Sequence, residues 1–192
     1  QSTNYNAVTT SFPLEWTYEI GLFLGYVKGD GTMTAERYPT IRISGGEEDA
    51  DDLRRLEAIV AAWCTTKSST KIRVPPPGHF CTTPKPMAFI AWRVQALSLF
   101  LLRLGLDKQS PPESRRAPAP IFTASRDAIR GYLSGLFSTD GSVLVDAKDE
   151  VHPRLILTMA SVSPGLLQDV QLLLAGFGIR SSISAYTTSN LR

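Results

Sequence analysis

A short motif that occurs twice constrains this 192-residue chain more than any other feature in it. The first copy reads Phe23-Leu24-Gly25-Tyr26-Val27-Lys28-Gly29-Asp30-Gly31 and the second Leu133-Ser134-Gly135-Leu136-Phe137-Ser138-Thr139-Asp140-Gly141. Each is an apolar helical run ending in Asp-Gly, with a glycine five residues before the aspartate. The two aspartates stand 110 positions apart, so the chain reads as two copies of one unit. A repeat of this kind fixes architecture before local propensity does.

The repeat extends beyond the motif. After Asp30 the sequence predicts strands from Thr32 to Arg37 and from Pro39 to Ser44, a polar-faced helix from Glu47 to Trp63 and a strand from Thr70 to Val74. After Asp140 the same order predicts strands from Ser142 to Lys148 and Arg154 to Ala160, a helix from Pro164 to Phe177 and a strand from Ile179 to Thr187. The first half goes on to a strand, Met87 to Val94, and a helix, Gln95 to Leu104, which the second half lacks. The expected organisation is α+β: a first repeat over 14–104, a linker over 105–120 containing Pro111, Pro112, Pro118 and Pro120, and a second, incomplete repeat over 121–192. An unpaired edge and an open core face are costly in a small domain. The expectation is therefore an excised fragment, or a chain that another segment completes.

Gly21, Gly25 and Gly29 recur every fourth residue and share one helix stripe, as do Gly131 and Gly135. Glycine in a helix interior costs about 1 kcal/mol relative to alanine, which is tolerable where another backbone must come close. Asp30 and Asp140 then fall at helix C-termini, where partial negative charge disfavours an anion. Two such carboxylates together raise each other's pKa, and a divalent cation relieves both problems. Mg²⁺ takes oxygen ligands and bridges carboxylates to phosphates. Asp30 and Asp140 are accordingly the candidate catalytic residues and metal ligands, at a site suited to phosphate chemistry.

Strand residues alternate faces. That alternation turns Thr40, Arg42 and Ser44 away from Ile41 and Ile43, and Lys71 and Arg73 away from Ile72. It likewise sets Arg154, Ile156 and Thr158 against Leu155, Leu157 and Met159, and Arg180, Ser182 and Tyr186 against Ile179 and Ile183. Outward Arg, Lys, Ser and Thr suit contacts to phosphates and base edges, though a solvated sheet face looks similar.

Net charge is only +2, a poor nucleic-acid signal taken whole. The acidic residues concentrate in one helix, at Glu47, Glu48, Asp49, Asp51, Asp52 and Glu57, so the remainder is distinctly basic. Two cysteines are too few for a disulfide scaffold, and Cys81 with His79 lacks further ligands at zinc spacing. No stretch approaches the ~20 apolar residues of a membrane span, and no secretory signal pattern is present, so an intracellular chain is expected.

The two motifs resemble those of the LAGLIDADG homing endonucleases, in particular the two-motif, single-chain type found within inteins. Leu133, Gly135, Leu136, Asp140 and Gly141 sit where the family name puts those letters, and the first copy keeps Gly25, Asp30 and Gly31. Ile121-Phe122-Thr123-Ala124-Ser125, the run Leu167 to Leu174 and Phe177-Gly178-Ile179-Arg180 are also intein-like. The resemblance covers about Leu14 to Thr188. It implies two αββαββα units about a pseudo-twofold axis, with the motif helices side by side and the sheets forming a saddle in the DNA major groove. It implies a site-specific double-strand DNA endonuclease, using Mg²⁺ or Mn²⁺ with Ca²⁺ as a non-catalytic substitute, acting as a monomer on a long target in the cytoplasm, nucleoid or an organelle. Where such enzymes carry an assisting lysine before a proline-containing segment, this chain has Arg115 and Arg116. These, with Lys28, are the candidate phosphate-side cations. Alternatives are a cleavage-deficient DNA-binding protein of the same fold and an RNA-intron maturase. The splicing ends of an intein are not recognisable in the sequence.

Overall fold

Helix α1 starts where Thr17 accepts a hydrogen bond from the Ile20 N–H (3.4 Å), and runs Tyr18–Lys28. The Gly29 N–H closes it by donating to the Gly25 carbonyl. Two residues later the chain enters β1, Gly31–Met33, followed by β2, Ile41–Gly46. A short 3₁₀ turn, Glu47–Asp49, leads into α2, Ala50–Trp63. Then come β3, Lys71–Arg73, β4, Met87–Trp92, and α3, Gln95–Arg103. After two further 3₁₀ turns the second motif forms α4, Arg126–Asp140, capped by Ser125, whose Oγ accepts from the Ala128 N–H (3.2 Å). Strands β5, Gly141–Asp146, and β6, Arg154–Met159, and helix α5, Pro164–Ala175, complete the described elements. This computed structural model describes residues 10–34, 39–65, 71–73, 86–106, 110–146 and 154–185. No helix among them is long and apolar enough to cross a membrane.

Strands β1 to β4 form one antiparallel sheet in the order β1-β2-β4-β3, and β5 and β6 form a second, two-stranded one. The main core lies under the first sheet. Ile41 and Ile43 of β2 and Ala88, Ile90 and Trp92 of β4 are buried with Leu53, Leu56 and Val60 of α2 and Leu97 and Leu101 of α3. Phe23 of α1 packs edge-on to Trp63 and to Trp92, which ties helix and sheet together.

The second sheet departs from expectation. Leu155, Leu157 and Met159 alternate as a core face should, yet Leu155 is 75% and Leu157 58% exposed, with only Met159 packed against the core. The strand expected from Ile179 to Thr187 is also not formed over its described part, 179–185. Instead Gly178, at φ +76°, ends α5 with the Ile179 N–H turned back to the Leu174 carbonyl (3.1 Å). The first sheet supplies the reason. There β3 pairs with β4, whereas among the described residues no strand lies beside the segment after α5.

Candidate carboxylate pair and strand surface

Helices α1 and α4 meet backbone to backbone through their glycines. A methyl group on Gly21 would collide with the Ala128 carbonyl and lie 2.8 Å from Tyr132 N; one on Gly131 would collide with the Tyr18 carbonyl and lie 2.9 Å from Leu22 N. On Gly25 it would meet the Tyr132 carbonyl and the Gly135 Cα (3.0 Å), and on Gly135 the Leu22 carbonyl and the Gly25 Cα (3.1 Å). Adding 110 to the residue numbers turns each contact into its partner. The two halves are therefore related by a local twofold at atomic detail, and only glycine fits at its centre.

This packing sets the two helix ends side by side. Beyond Gly25 and Gly135 the next contact is Gly29 against the Thr139 side chain, and Asp30 and Asp140 are the residues that follow. Thr139 is held in place by donating to the Leu136 carbonyl (2.8 Å). Asp30 leads directly into β1, and Asp140, the last helical residue, leads directly into β5. Tyr26 braces this end: it hydrogen-bonds Ser138 across the pair and Asp52 of α2. Burial, Asp52 and Asp49 together push its hydroxyl up to about 12. Tyr132 is wholly buried, and its hydroxyl is raised by burial first, then by Asp169 and Asp140.

Two carboxylates at paired helix ends are a donor set of the hard oxygen type that Mg²⁺ and Mn²⁺ accept. Among the described residues no three His, Cys, Asp or Glu side chains gather in one place, so the protein would contribute these two and leave other positions to water and phosphate. His79 and Cys81 lie outside the described residues. Cys64 is buried and its thiol pushed up by burial, which keeps it unreactive.

The expected cations stand differently. Lys28 is only 4% exposed. Arg116 Nε donates to Asp169 Oδ2 at 2.7 Å and its NH2 to Oδ1, while the Ala117 N–H donates to the same Oδ2 at 2.9 Å. Ser163 Oγ donates to the Arg115 carbonyl at 2.6 Å. Arg115 and Arg116 thus belong to a clamp that fastens the interhelical linker to α5. Asp169 escaped sequence reasoning, although a signal existed: Leu166, Asp169, Val170 and Leu173 form one buried helix stripe with a carboxylate in it.

The outer face of the first sheet follows the expected alternation. Arg42 is exposed between buried Ile41 and Ile43, and Ser44 is half-buried. Thr40 lies just before β2, where its N–H donates to Thr34 Oγ1 (3.0 Å). Lys71 and Arg73 pair in register with Phe89 and Met87, the outward positions of β4. In the second half Arg154 is exposed, and Thr158 Oγ1 lies 2.7 Å from Ser142 Oγ across the hairpin. Arg180 and Ser182 are exposed but stand on irregular backbone, so the alternation expected of them does not apply; Tyr186 is outside the described residues. Sequence reading also missed Phe89, which the alternation of Ala88, Ile90 and Trp92 could have turned outward. Arg42 Cζ lies 4.4 Å from the centre of its ring.

Residues 127–191 match the family profile of the LAGLIDADG-like domain. The chain is 26% identical over 170 residues to the ribonucleoside-diphosphate reductase NrdEB subunit alpha of Bacillus subtilis (strain 168), which is 86% of this chain and 15% of that protein. It is 41% identical over 68 residues to the DNA polymerase II large subunit of Thermococcus kodakarensis, 35% of this chain and 3% of that protein. The chain thus spans only a small part of these curated relatives. Among solved structures, I-DmoI in complex with its target DNA, nicked in the coding strand and in the presence of Mn, matches with a TM-score of 0.47 and 12% identity over 91% of this chain and 85% of that one.

Proposed function

We propose that this chain, whose residues 127–191 match the LAGLIDADG-like domain profile, is a homing endonuclease of that type, hydrolysing one phosphodiester in each strand of a DNA duplex at a specific site. The observation that supports this reading is the twofold glycine contact between α1 and α4, two helices that lead through Asp30 and Asp140 into the first strands of the two sheets. Two scissile phosphates, one per strand, need two equivalent carboxylate positions, and a twofold supplies them. Asp30 and Asp140 would hold Mg²⁺ or Mn²⁺, and a bound ion supplies polarisation of the phosphate and a more acidic water. The chain's own part is to fix the spacing of the carboxylates through glycine packing, and to track the duplex with the outer strand faces. Arg42, Ser44, Lys71 and Arg73 would serve one half of the target, and Arg154 and Thr158 the other.

The relatives support a mobile origin. Similarity runs over most of this chain but a small fraction of a reductase subunit, and recurs in a polymerase subunit. A module shared by proteins of unrelated activity is better explained as an element hosted by each than as part of either reaction. This supports an intein-like or intron-like homing element acting on double-stranded DNA.

A cleavage-deficient binder is the second reading, and specific observations favour it: Lys28 is buried and Arg116 is already engaged by Asp169. A selection of random duplexes, first for binding and then for cleavage with Mg²⁺ or Mn²⁺, separates the two. The endonuclease cuts its selected duplex on both strands, and Asp30→Asn and Asp140→Asn each abolish the double-strand product while sparing binding, with Ca²⁺ supporting binding alone. Cleavage at the original rate by either variant would sink the two-carboxylate mechanism. Tight binding without cleavage in either ion selects the second reading.

A further inference from the structure

An aromatic ring half-open to solvent stands in the middle of the polar sheet face. Phe89 is at an outward position of β4, paired with Ser44 on one side and Lys71 on the other. Arg42 is its diagonal neighbour, because Arg42 pairs with Ala91, two residues along β4. On the other flank Arg42 pairs with Thr32 of β1. Both residues directly opposite Arg42 are small, so the long side chain can lie across the strand onto the ring, and its Cζ sits 4.4 Å from the ring centre. Among the described residues Arg42 makes no ion pair.

A guanidinium over an aromatic face is held by its flat side, which leaves the N–H fork at its edge free and pre-aimed. A flexible arginine suffices for a phosphate. A planar, pre-aimed one matches the two acceptors, O6 and N7, on the major-groove edge of guanine. On the footing of the DNA reading above, we infer that Phe89 is a positioning residue that holds Arg42 for bidentate recognition of one guanine. Among its described residues the second half has no equivalent: the register Thr32–Arg42 corresponds to Ser142–Thr158, and Thr158 Oγ1 is 2.7 Å from the Ser142 hydroxyl. The target is therefore asymmetric, with a strongly discriminated G·C pair in the half under the first sheet and none at the matching place in the other.

The test takes the duplex selected by the unaltered chain and measures affinity for every single base-pair replacement of it. Arg42→Ala reduces discrimination at one G·C pair by about tenfold. Phe89→Leu reduces it at the same pair, Phe89→Tyr restores it, and the Arg42→Ala, Phe89→Leu double variant loses no more than Arg42→Ala. Arg42→Lys, which leaves the ring untouched, keeps most of the affinity and loses the discrimination. In the DNA-free protein the Arg42 side-chain protons show a ring-current shift that Phe89→Leu removes. If Phe89→Leu keeps the original base profile while Arg42→Ala flattens it, the positioning role is wrong and the DNA reading stands. If the unaltered chain selects no duplex, the DNA reading falls and the inference with it, even where the proton shift reports the stack intact.

Discussion

Strands β2 and β6 occupy the same place in their halves, yet one is the centre of a core and the other is half wet. Both follow a motif helix and a first strand, and both pair with that strand in the same register: Gly31 with Ile43, and Gly141 with Met159. Ile41 and Ile43 correspond to Leu157 and Met159. Ile41 is 0% exposed and its counterpart Leu157 58%. The difference lies on the other side of the strand, where β2 is paired along its whole length by β4 and β6 has no neighbour among the described residues. Alternation makes a strand able to bury one face; a second strand and the helix after it do the burying. Burial is a property of what covers a pattern, and the pattern alone does not guarantee it.

The helix pair is where the halves are most alike, and there the largest effects are expected. Leucine at Gly25 or Gly135 drives a side chain into the opposing backbone, which cannot move aside without separating α1 from α4. Overpacking typically costs about 1–3 kcal/mol and occasionally more, and contact with backbone puts both sites at the upper end. Because the contacts exchange under the twofold, the two variants should lower the melting temperature by similar amounts. Cleavage should fall further than stability, since a displacement of ~1 Å at a reacting centre can cost about a hundredfold in rate. Gly176, where a methyl group would come no closer than 3.3 Å, to the Leu173 carbonyl, is the control, and alanine there should change little. Unequal losses at Gly25 and Gly135 would break the claim of equivalence.

The strands sharpen the contrast. Ile43→Ala removes a buried core side chain whose cross-strand neighbour is Ile90, and a cost of about 2–5 kcal/mol is expected. Leu157→Ala removes one already more than half in water, and less than about 1 kcal/mol is expected by area. Chemical denaturation of both variants measures the pair. A large loss at Leu157 would mean that something covers β6 in solution.

What could be read from sequence follows the same division. The glycine stripe and the paired Asp-Gly endings gave the helix pair because backbone proximity demands a residue type and leaves a visible period. Alternation in Ile41-Arg42-Ile43-Ser44 placed Arg42 outward correctly. It failed at Leu155-Ile156-Leu157 because the covering strand is a tertiary fact. The family resemblance gives Arg116 a phosphate-side place, but its partner is the Asp169 carboxylate of α5, 53 positions away. The stripe Leu166, Asp169, Val170 and Leu173 marks the carboxylate as buried, but nothing local names a partner so distant.

The two buried phenols give the smallest and most discriminating comparison. Tyr26 and Tyr132 lie on opposite partners of the helix pair, and their repeat-related positions are Leu136 and Leu22, so each half contributes one hydroxyl at a different place. Tyr26 hydrogen-bonds Ser138 and Asp52; among the described residues the Tyr132 hydroxyl has no hydrogen-bond partner. Losing a satisfied bond typically costs about 1 kcal/mol, whereas removing an unsatisfied buried hydroxyl can be neutral or stabilising. Tyr26→Phe should therefore lower stability near neutral pH and Tyr132→Phe should leave it level or raise it. The alkaline behaviour separates them from a packing effect. Each phenol keeps its proton longer in the folded chain than the ordinary value of 10 allows, with Tyr26 pushed up to about 12. Above pH 10 the unfolded chain ionises and the folded chain does not, so the stability held below that pH is lost as pH rises, for Tyr26 between about 10 and about 12. Both variants should flatten that decline when denaturation midpoints are followed from pH 8 upward in roughly unit steps. A decline as steep in the double variant as in the parent would place the alkaline sensitivity elsewhere in the molecule.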